Sequence, residues 1–146
     1  VYVDGKDVTD LIRSPQVSIA ASDIAVIPEV RMKLVEIQRE LAQRYSLVVD
    51  GRDIGTYVLP NADKKFYLTA TIDERARRRW LELIDRGYTQ DINEIKKDLE
   101  KRDMNDMNRS FAPLRKAEDA ILIDTTDKTI EEVVDEVCSH LSDIFA

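Results

Sequence analysis

Residues 47–56 have the sequence LVVDGRDIGT, in which three apolar residues are followed at once by charged residues and glycines. The unbroken apolar run 47–49 predicts a fully buried strand, because strands covered on both faces lack alternation of polar and apolar residues. Asp50, Arg52 and Asp53 then lie at the carboxyl end of this strand, where open α/β sheets bind their ligands. A charged turn whose arginine and aspartate pair with each other is the alternative, and the stretch alone favours neither.

Turn and cap residues divide the remainder of the chain into short strands and helices. Gly51 and Gly55 predict a sharp turn or a close approach to the backbone, and the pair Asp4-Gly5 predicts a β-hairpin. Helices are expected over about residues 15–25, 28–45, 73–87, 91–108 and 129–144, and two further buried strands over residues 65–70 and 120–124. Because strands alternate with helices, the sequence predicts an α/β fold with a parallel sheet flanked by helices.

Helix starts and packing faces follow from local patterns. The expected caps are Ser14, Asp73, Asp91 and Thr129, the last with Glu132 in a capping box. Apolar residues spaced by three and four predict two packing faces. The face of the second helix comprises Val30, Leu34, Ile37, Leu41 and Tyr45, and that of the last helix comprises Ile130, Val133, Val134, Val137, Leu141 and Ile144.

The composition limits the classes of protein that need to be considered. A chain of 146 residues that is 43% hydrophobic is long enough for one domain with a core. The net charge of −7 argues against a general nucleic-acid binder, and no apolar run has the length of a membrane span. The single cysteine, Cys138, suits a reducing and therefore cytoplasmic compartment. One cysteine and one histidine, His140, cannot build a zinc site.

Charged residues form three clusters. The first follows the predicted strand at residues 50–53, and the second comprises Arg102, Asp106 and Arg109, whose spacing places them on one helical face. The third comprises Arg75, Arg77, Arg78 and Arg79. The alternative for the second cluster is a ladder of salt bridges worth about 0.2–0.5 kcal/mol per pair. Taken together, arginines beside carboxylates at a strand end predict a polyanionic ligand and the requirements of phosphoryl transfer.

The same residues resemble bacterial cytidylate kinase, a nucleoside monophosphate kinase of the P-loop class. The resemblance covers essentially the whole chain, and its motifs occur in the order found in that family. They are Ala21-Ser22 with Pro28-x-x-Arg31, Asp50-Gly51-Arg52-Asp53-Ile54-Gly55-Thr56, Arg102-Asp103-x-x-Asp106-x-x-Arg109, and Ala112-Pro113-Leu114.

The resemblance implies a reaction and a role for each matched residue. The family transfers the terminal phosphoryl group of ATP to CMP or dCMP with Mg²⁺. Ser22, Arg31 and Asp53 match the positions that read cytosine, and Arg52 matches an arginine on the CMP phosphate. The remaining implied roles are sugar contacts for Arg102 and Asp106, a substrate-site arginine for Arg109, Mg²⁺ and its waters for Asp50, and the ATP lid for Arg75 and Arg78.

The sequence departs from the family pattern at one point. The family begins with a strand and a loop, Gly-x-x-x-x-Gly-Lys-[Ser/Thr], that cradles the donor phosphates, and the 146 residues contain no such loop. We therefore expect a carboxyl-terminal part of a kinase, incomplete and inactive alone, whose gap a missing amino-terminal segment or a swapped partner chain would fill. Residues 1–45 are then part of the CMP-binding insertion, and residues 46–146 are the remaining core, with a lid at about 75–115.

Two other functions stay open from the sequence. A different nucleoside monophosphate kinase is one, although the set Ser22, Arg31 and Asp53 favours cytosine. The other is a non-catalytic remnant that binds nucleotides or assembles with a partner, which the missing phosphate loop favours.

Overall fold

The computed structural model describes residues 1–142. The chain divides into two compact units, Val1–Val48 and Val49–Ala146, and each is described by itself below. The division falls close to the predicted boundary between residues 45 and 46. The assignment of the two parts to a CMP-binding insertion and a kinase core stays a prediction.

The first unit opens with the predicted β-hairpin. Strands β1 (Tyr2–Val3) and β2 (Lys6–Asp7) pair antiparallel. The two turn residues, Asp4 and Gly5, have φ values of 50° and 76°. Two consecutive positive φ angles are what a tight two-residue hairpin turn requires, and the Asp-Gly pair adopts them at low cost. The hairpin prediction is confirmed.

Two helices fill the rest of the first unit, after a 3-10 turn at Leu11–Arg13. Helix α1 is Pro15–Ile24, and the side chain of Ser14 caps it by accepting a hydrogen bond from the backbone N–H of Val17. Helix α2 is Pro28–Arg44. Both helices begin at a proline, whose missing N–H costs nothing in the first turn. The predicted starts of both helices and the cap at Ser14 are confirmed.

The predicted packing face of α2 is wrong by one position. Leu34, Ile37 and Leu41 are 53%, 42% and 45% exposed, whereas Arg31 and Val35 are buried. The inner face therefore includes positions 31 and 35, rotated by one residue from the predicted stripe. On this inner face, Nη1 of Arg31 donates to the backbone oxygen of Ala25 at 3.2 Å.

The second unit contains a parallel pair of strands, as predicted. Strand β3 (Phe66–Thr69) lies beside β4 (Ile121–Asp124), with Phe66 opposite Ile121 and Thr69 opposite Asp124. Ile123 of β4 is 1% exposed and belongs to the core. Helices flank this small sheet along the chain, so the α/β class is confirmed.

The predicted strand at residues 47–49 is absent from the structure. Residues 46–50 form no strand or helix. Leu47 is 45% exposed, and Val48 is fully exposed. A strand needs a neighbour for its backbone N–H and C=O groups, and no described strand pairs with this segment. The strand prediction is wrong, because an apolar composition does not supply a partner strand.

Helices α3 (Ile72–Asp85) and α4 (Ile92–Asn108) follow β3. Thr71, and not the predicted Asp73, caps α3, because its hydroxyl accepts from the N–H of Glu74. Gly87, with φ of 80°, ends the helix where the sequence predicts. Asp91 caps α4 by accepting from the N–H of Asn93, as expected.

An apolar cluster joins α3 to α4. Ala76 and Leu83 of α3 and Ile95 of α4 are each at most 2% exposed, and Trp80 and Leu99 pack against them. This cluster fixes the two helices against each other, and the charged residues described next lie on the same two helices.

The last described helix, α5 (Ile130–Ser139), has the predicted capping box between Thr129 and Glu132. Its predicted face is only partly covered, since Ile130 is 79% and Val134 is 51% exposed. Ile144, the last member of that face, lies outside the described residues.

Candidate functional site

The loop after residues 46–50 begins with a close contact between the backbone of Gly51 and the side chain of Ile54. A Cβ atom on Gly51 would lie 2.7 Å from Cγ1 of Ile54, inside van der Waals contact, so only glycine fits without moving that side chain. Residues Ile54–Val58 then form a π-helical turn, a feature that is often found at functional sites. Gly55 is also close to a neighbour, since its Cβ would lie 3.3 Å from Lys65. The predicted close approaches are thus made by this chain itself.

A buried ion pair joins the loop after Gly51 to the end of α4. Asp53 is 6% exposed, and its Oδ1 lies 3.2 Å from Nη2 of Arg109. Nη1 of Arg109 lies 3.5 Å from Oδ1 of Asp106, one helical turn earlier. Nε of Arg109 donates to the backbone oxygen of Ala112 at 2.6 Å. Arg109 therefore joins the loop after Gly51, the end of α4 and the Ala112-Pro113 segment.

Arg52 makes looser contacts than Arg109. Its Nη1 lies 3.5 Å from Oδ1 of Asp103, and its Nε lies 3.4 Å from Oδ2 of Asp106. Both distances exceed the 2.7–2.9 Å that is usual for a charge-assisted hydrogen bond. The side chain of Arg52 is also 35% exposed, against 5% for Arg109. Arg52 is thus accessible to an external anion, whereas Arg109 is buried.

Asp103 is a site residue that the sequence reasoning missed. Its Oδ2 accepts from Nη1 of Arg75 on α3 at 2.7 Å, and its Oδ1 faces Arg52. Asp103 stands three residues before Asp106, so the spacing of acidic residues on α4 could have drawn attention to it. Its partners could not have been found, because they lie on other segments.

Arg102 differs from the other arginines of the cluster. It forms no ion pair or side-chain hydrogen bond with any residue between 1 and 142. Burial lowers the pKa of Arg102, and the like charge of Arg52 lowers it further, while Asp106 and Asp103 act in the opposite direction. The predicted ladder of ion pairs along α4 is therefore incomplete, since only Asp106 and Arg109 pair within it.

Asp106 and Arg75 each have a buried polar atom at the site that makes no hydrogen bond within the described residues. Oδ2 of Asp106 and Nε of Arg75 are buried, and neither forms a hydrogen bond within residues 1–142. A buried group that lacks a hydrogen bond carries a desolvation cost. The Asp106 oxygen suits a hydroxyl donor, and the Arg75 nitrogen suits an acceptor.

The site brings together charged groups of both signs. They are the guanidinium groups of Arg52, Arg75, Arg102 and Arg109 and the carboxylates of Asp53, Asp103 and Asp106. A partly buried site with several guanidinium groups and a carboxylate oxygen that accepts no hydrogen bond suits an anionic ligand that also carries hydroxyl groups.

The arginine row of α3 is not itself such a site. Arg77 and Arg78 both pair with Glu74, and Arg79 pairs with Glu82. Arg78 also donates to the hydroxyl of Thr125 at 3.0 Å and to the backbone oxygen of that residue. The two predicted lid residues thus point to different places, Arg75 to Asp103 and Arg78 to the connection after β4.

Three further predicted residues lie elsewhere. Asp50 is exposed at the start of the loop in the second unit. Ser22 is half-buried on α1, and Arg31 is buried on α2, both in the first unit. Within residues 1–142 there is no group of three or more histidine, cysteine or acidic residues that could hold a metal. No described helix has the length and apolarity needed to cross a membrane.

The second unit thus combines a small parallel sheet and flanking helices with a half-buried cluster of arginines and carboxylates. The sequence profile of the cytidylate kinase family matches residues 1–143. The chain therefore belongs to the cytidylate kinase family.

Individual relatives agree with the profile. The chain is 56% identical over 137 residues to the cytidylate kinase of Caldicellulosiruptor bescii, 94% of this chain and 61% of that one. It is 54% identical over 143 residues to that of Desulfitobacterium hafniense, 98% of this chain and 62% of the relative. It is 51% identical to that of Halalkalibacterium halodurans, over 98% and 64% of the two chains. The chain thus spans about three fifths of the length of the curated relatives it matches.

Proposed function

We propose that this chain forms the CMP-binding part of a cytidylate kinase, which transfers the terminal phosphoryl group of ATP to CMP or dCMP. The observation that carries the proposal is the half-buried cluster around Arg52, whose side chain is 35% exposed, together with the buried Oδ2 of Asp106, which forms no hydrogen bond within residues 1–142. A nucleoside monophosphate offers both complements, a phosphate and sugar hydroxyl groups. The relatives' name, Cytidylate kinase, supports the choice of reaction.

Each residue of the cluster has a distinct task in this proposal. Arg52 binds the CMP phosphate, because its own ion pairs are long and its side chain is accessible. Asp106 accepts a hydrogen bond from a sugar hydroxyl through Oδ2, with Arg102 beside it. Arg109, held by Asp53 and Ala112, keeps the loop at the end of α4 in place. A fixed acceptor geometry lowers the entropic part of the barrier to phosphoryl transfer.

Recognition of the base follows from the family resemblance. Cytosine presents an exocyclic amine as donor, and a ring nitrogen and a carbonyl as acceptors. Asp53 can accept from the amine, while Ser22 and Arg31 can donate to the acceptors. These three roles rest on the matched motifs alone.

The donor side of the reaction needs Mg²⁺ and ATP. Mg²⁺ is usually held by one or two carboxylates together with substrate phosphates and water, so the exposed carboxylate of Asp50 fits this ion although no larger acidic group is described. When bound, the ion would neutralise charge on the phosphates. Arg75 and Arg78 are proposed to serve the ATP lid within residues 75–115.

Titration calorimetry with CMP tests the proposal. The chain should bind CMP more tightly than cytidine, which lacks the phosphate, and more tightly than AMP, which lacks the cytosine. Equal affinity for CMP and cytidine would reject the phosphate site. Equal affinity for CMP and AMP would reject the base assignment and favour another nucleoside monophosphate kinase.

A phosphoryl-transfer assay separates the kinase from the second candidate, a nucleotide-binding or assembly protein without catalysis. That candidate is favoured by the lack of a Gly-x-x-x-x-Gly-Lys-[Ser/Thr] loop in these 146 residues. With ATP, Mg²⁺ and CMP, we expect binding of CMP but no turnover by this chain alone. Turnover at a normal kinase rate would overturn the expectation that the donor site is incomplete.

A further inference from the structure

Asp103 contacts arginines from two other segments of the second unit, Arg52 and Arg75. Its Oδ2 accepts a hydrogen bond of 2.7 Å from Arg75 on α3, and its Oδ1 lies 3.5 Å from Nη1 of Arg52 in the loop after Gly51. Its side chain is 15% exposed. One carboxylate therefore joins α3, α4 and the loop.

The two contacts of Asp103 differ in strength. The hydrogen bond to Arg75 has the length of a charge-assisted bond, so it fixes that guanidinium firmly. The contact with Arg52 is longer, at 3.5 Å. Asp103 therefore attracts the guanidinium of Arg52 but leaves its N–H groups able to donate to a ligand. Without the carboxylate, Arg52 and Arg75 would repel each other, and both would turn towards solvent.

We propose that Asp103 is a positioning residue of the phosphate site, which holds the guanidinium groups of Arg52 and Arg75 side by side so that both act on the phosphate of the bound nucleotide. The inference rests on the proposed CMP site. It extends that site by one residue, Arg75, whose buried Nε has no hydrogen bond within the described chain. Asp103 itself does not contact the ligand in this proposal.

A carboxylate near a phosphate site could act in the opposite way. If Asp103 only competed with the phosphate for Arg52 and Arg75, its removal would strengthen CMP binding, because a like charge would be gone. If it positions the arginines, its removal weakens CMP binding despite the lost repulsion. The sign of the change therefore decides between the two.

Titration calorimetry on the whole chain, with CMP and with cytidine as ligands, shows whether removal of the Asp103 carboxylate weakens or strengthens CMP binding. In Asp103→Asn, we expect the ratio of CMP affinity to cytidine affinity to fall about tenfold, the size of one charge-assisted contact. Cytidine affinity should stay unchanged, since the base and sugar contacts do not involve Asp103. Asp103→Glu, which keeps the charge, should recover part of the ratio.

Asp98→Asn is the matched control, because it removes the same charge from the same helix. Asp98 is exposed, and its contact is the amide of Gln90 at 3.3 Å. The control should bind both ligands as the unmodified chain does. An unchanged or higher ratio in Asp103→Asn overturns the inference, and so does a parallel loss of CMP and cytidine, which would mean a purely structural role.

A second variant covers the case in which Asp103→Asn does not fold, which circular dichroism would reveal. Arg75→Gln keeps Asp103 and its partner Arg52, and it should lower the same affinity ratio. A normal ratio in Arg75→Gln overturns the inference. If the unmodified chain itself binds CMP no better than cytidine, the proposed CMP site fails first, and the inference fails with it.

Discussion

The arginines of α3 and the arginines of the site are neutralised in different ways. Arg77 and Arg79 pair with glutamates three residues away on the same helix, at 2.8 and 2.7 Å. Arg52 pairs with Asp103 and Asp106 of another segment, and Arg109 pairs with Asp53 of the loop as well as with Asp106 of its own helix, all at 3.2–3.5 Å. In the dense arginine row of α3, Arg77 and Arg79 pair within the helix, whereas Arg75 joins the site through Asp103. Density of charge in the sequence therefore does not by itself show which arginines belong to the site.

Replacing Arg109, which is more buried than Arg52, should have the largest effect on stability. Arg109→Ala would leave Asp53 and Asp106 buried with fewer partners, and breaking such a pair costs about 3–5 kcal/mol. Urea unfolding followed by circular dichroism should give this loss in the free energy of unfolding. Arg77→Ala, an exposed pair on α3, should cost at most about 1 kcal/mol. Equal losses in the free energy of unfolding would show that the buried pairs of Arg109 and the exposed pair of Arg77 stabilise the protein to the same extent.

Arg52 should have the next largest effect, on binding instead of on stability. Arg52→Ala removes the accessible guanidinium, so CMP affinity should fall about 10–100-fold, as expected for one hydrogen bond to a charged group. The free energy of unfolding should change little, because its ion pairs are long and partly exposed. Calorimetry with CMP and urea unfolding check the two parts. Unchanged CMP binding would remove Arg52 from the site.

Replacing Glu74 should have the smallest effect, which is a change in the pH dependence of stability. Hydrogen bonding from Arg77, opposed by burial and aided by Arg78, lowers the pKa of Glu74 to about 2 from 4.5. A lowered pKa in the folded state means that the charged form stabilises the fold above pH 4.5 and that this contribution is lost as the pH falls to about 2. Thermal unfolding of the unmodified chain and of Glu74→Gln should converge over that interval. A constant difference between them would contradict the assigned pairing.

Local features of the fold could be predicted from the sequence. The Asp4-Gly5 turn, the caps at Ser14, Asp91 and Thr129, and the end of α3 at Gly87 all depend on neighbours a few residues away. The choice of Thr71 over Asp73 as a cap shows the limit of such reasoning, because both residues satisfy the same preference.

Features that need a distant partner could not be predicted in the same way. Residues 47–49 have the composition of a strand, but no described strand pairs with them. The inner face of α2 includes a buried arginine, Arg31, which donates to the backbone of Ala25 and which no apolar pattern encodes. In the site, Arg52, Asp53, Asp106 and Arg109 were named from motifs, and their ligand roles stay predictions.

Asp103 illustrates the same limit within the site. Arg75, the arginine that donates to it, lies 28 residues away in the sequence. Its position inside the Arg102-Asp103-x-x-Asp106 motif was visible, but a motif gives no information on which side chains meet. Only the packing of α3 on α4 brings the two together.

The close contact between Gly51 and Ile54 limits the substitutions that position 51 tolerates. Any side chain at position 51 would displace Ile54, whose branched Cβ leaves it few alternative rotamers. Gly51 immediately precedes Arg52, so the displaced loop would aim that guanidinium elsewhere. In a library selected for nucleotide capture, position 51 should therefore be depleted of substitutions almost as strongly as position 52, although it contributes no functional group of its own.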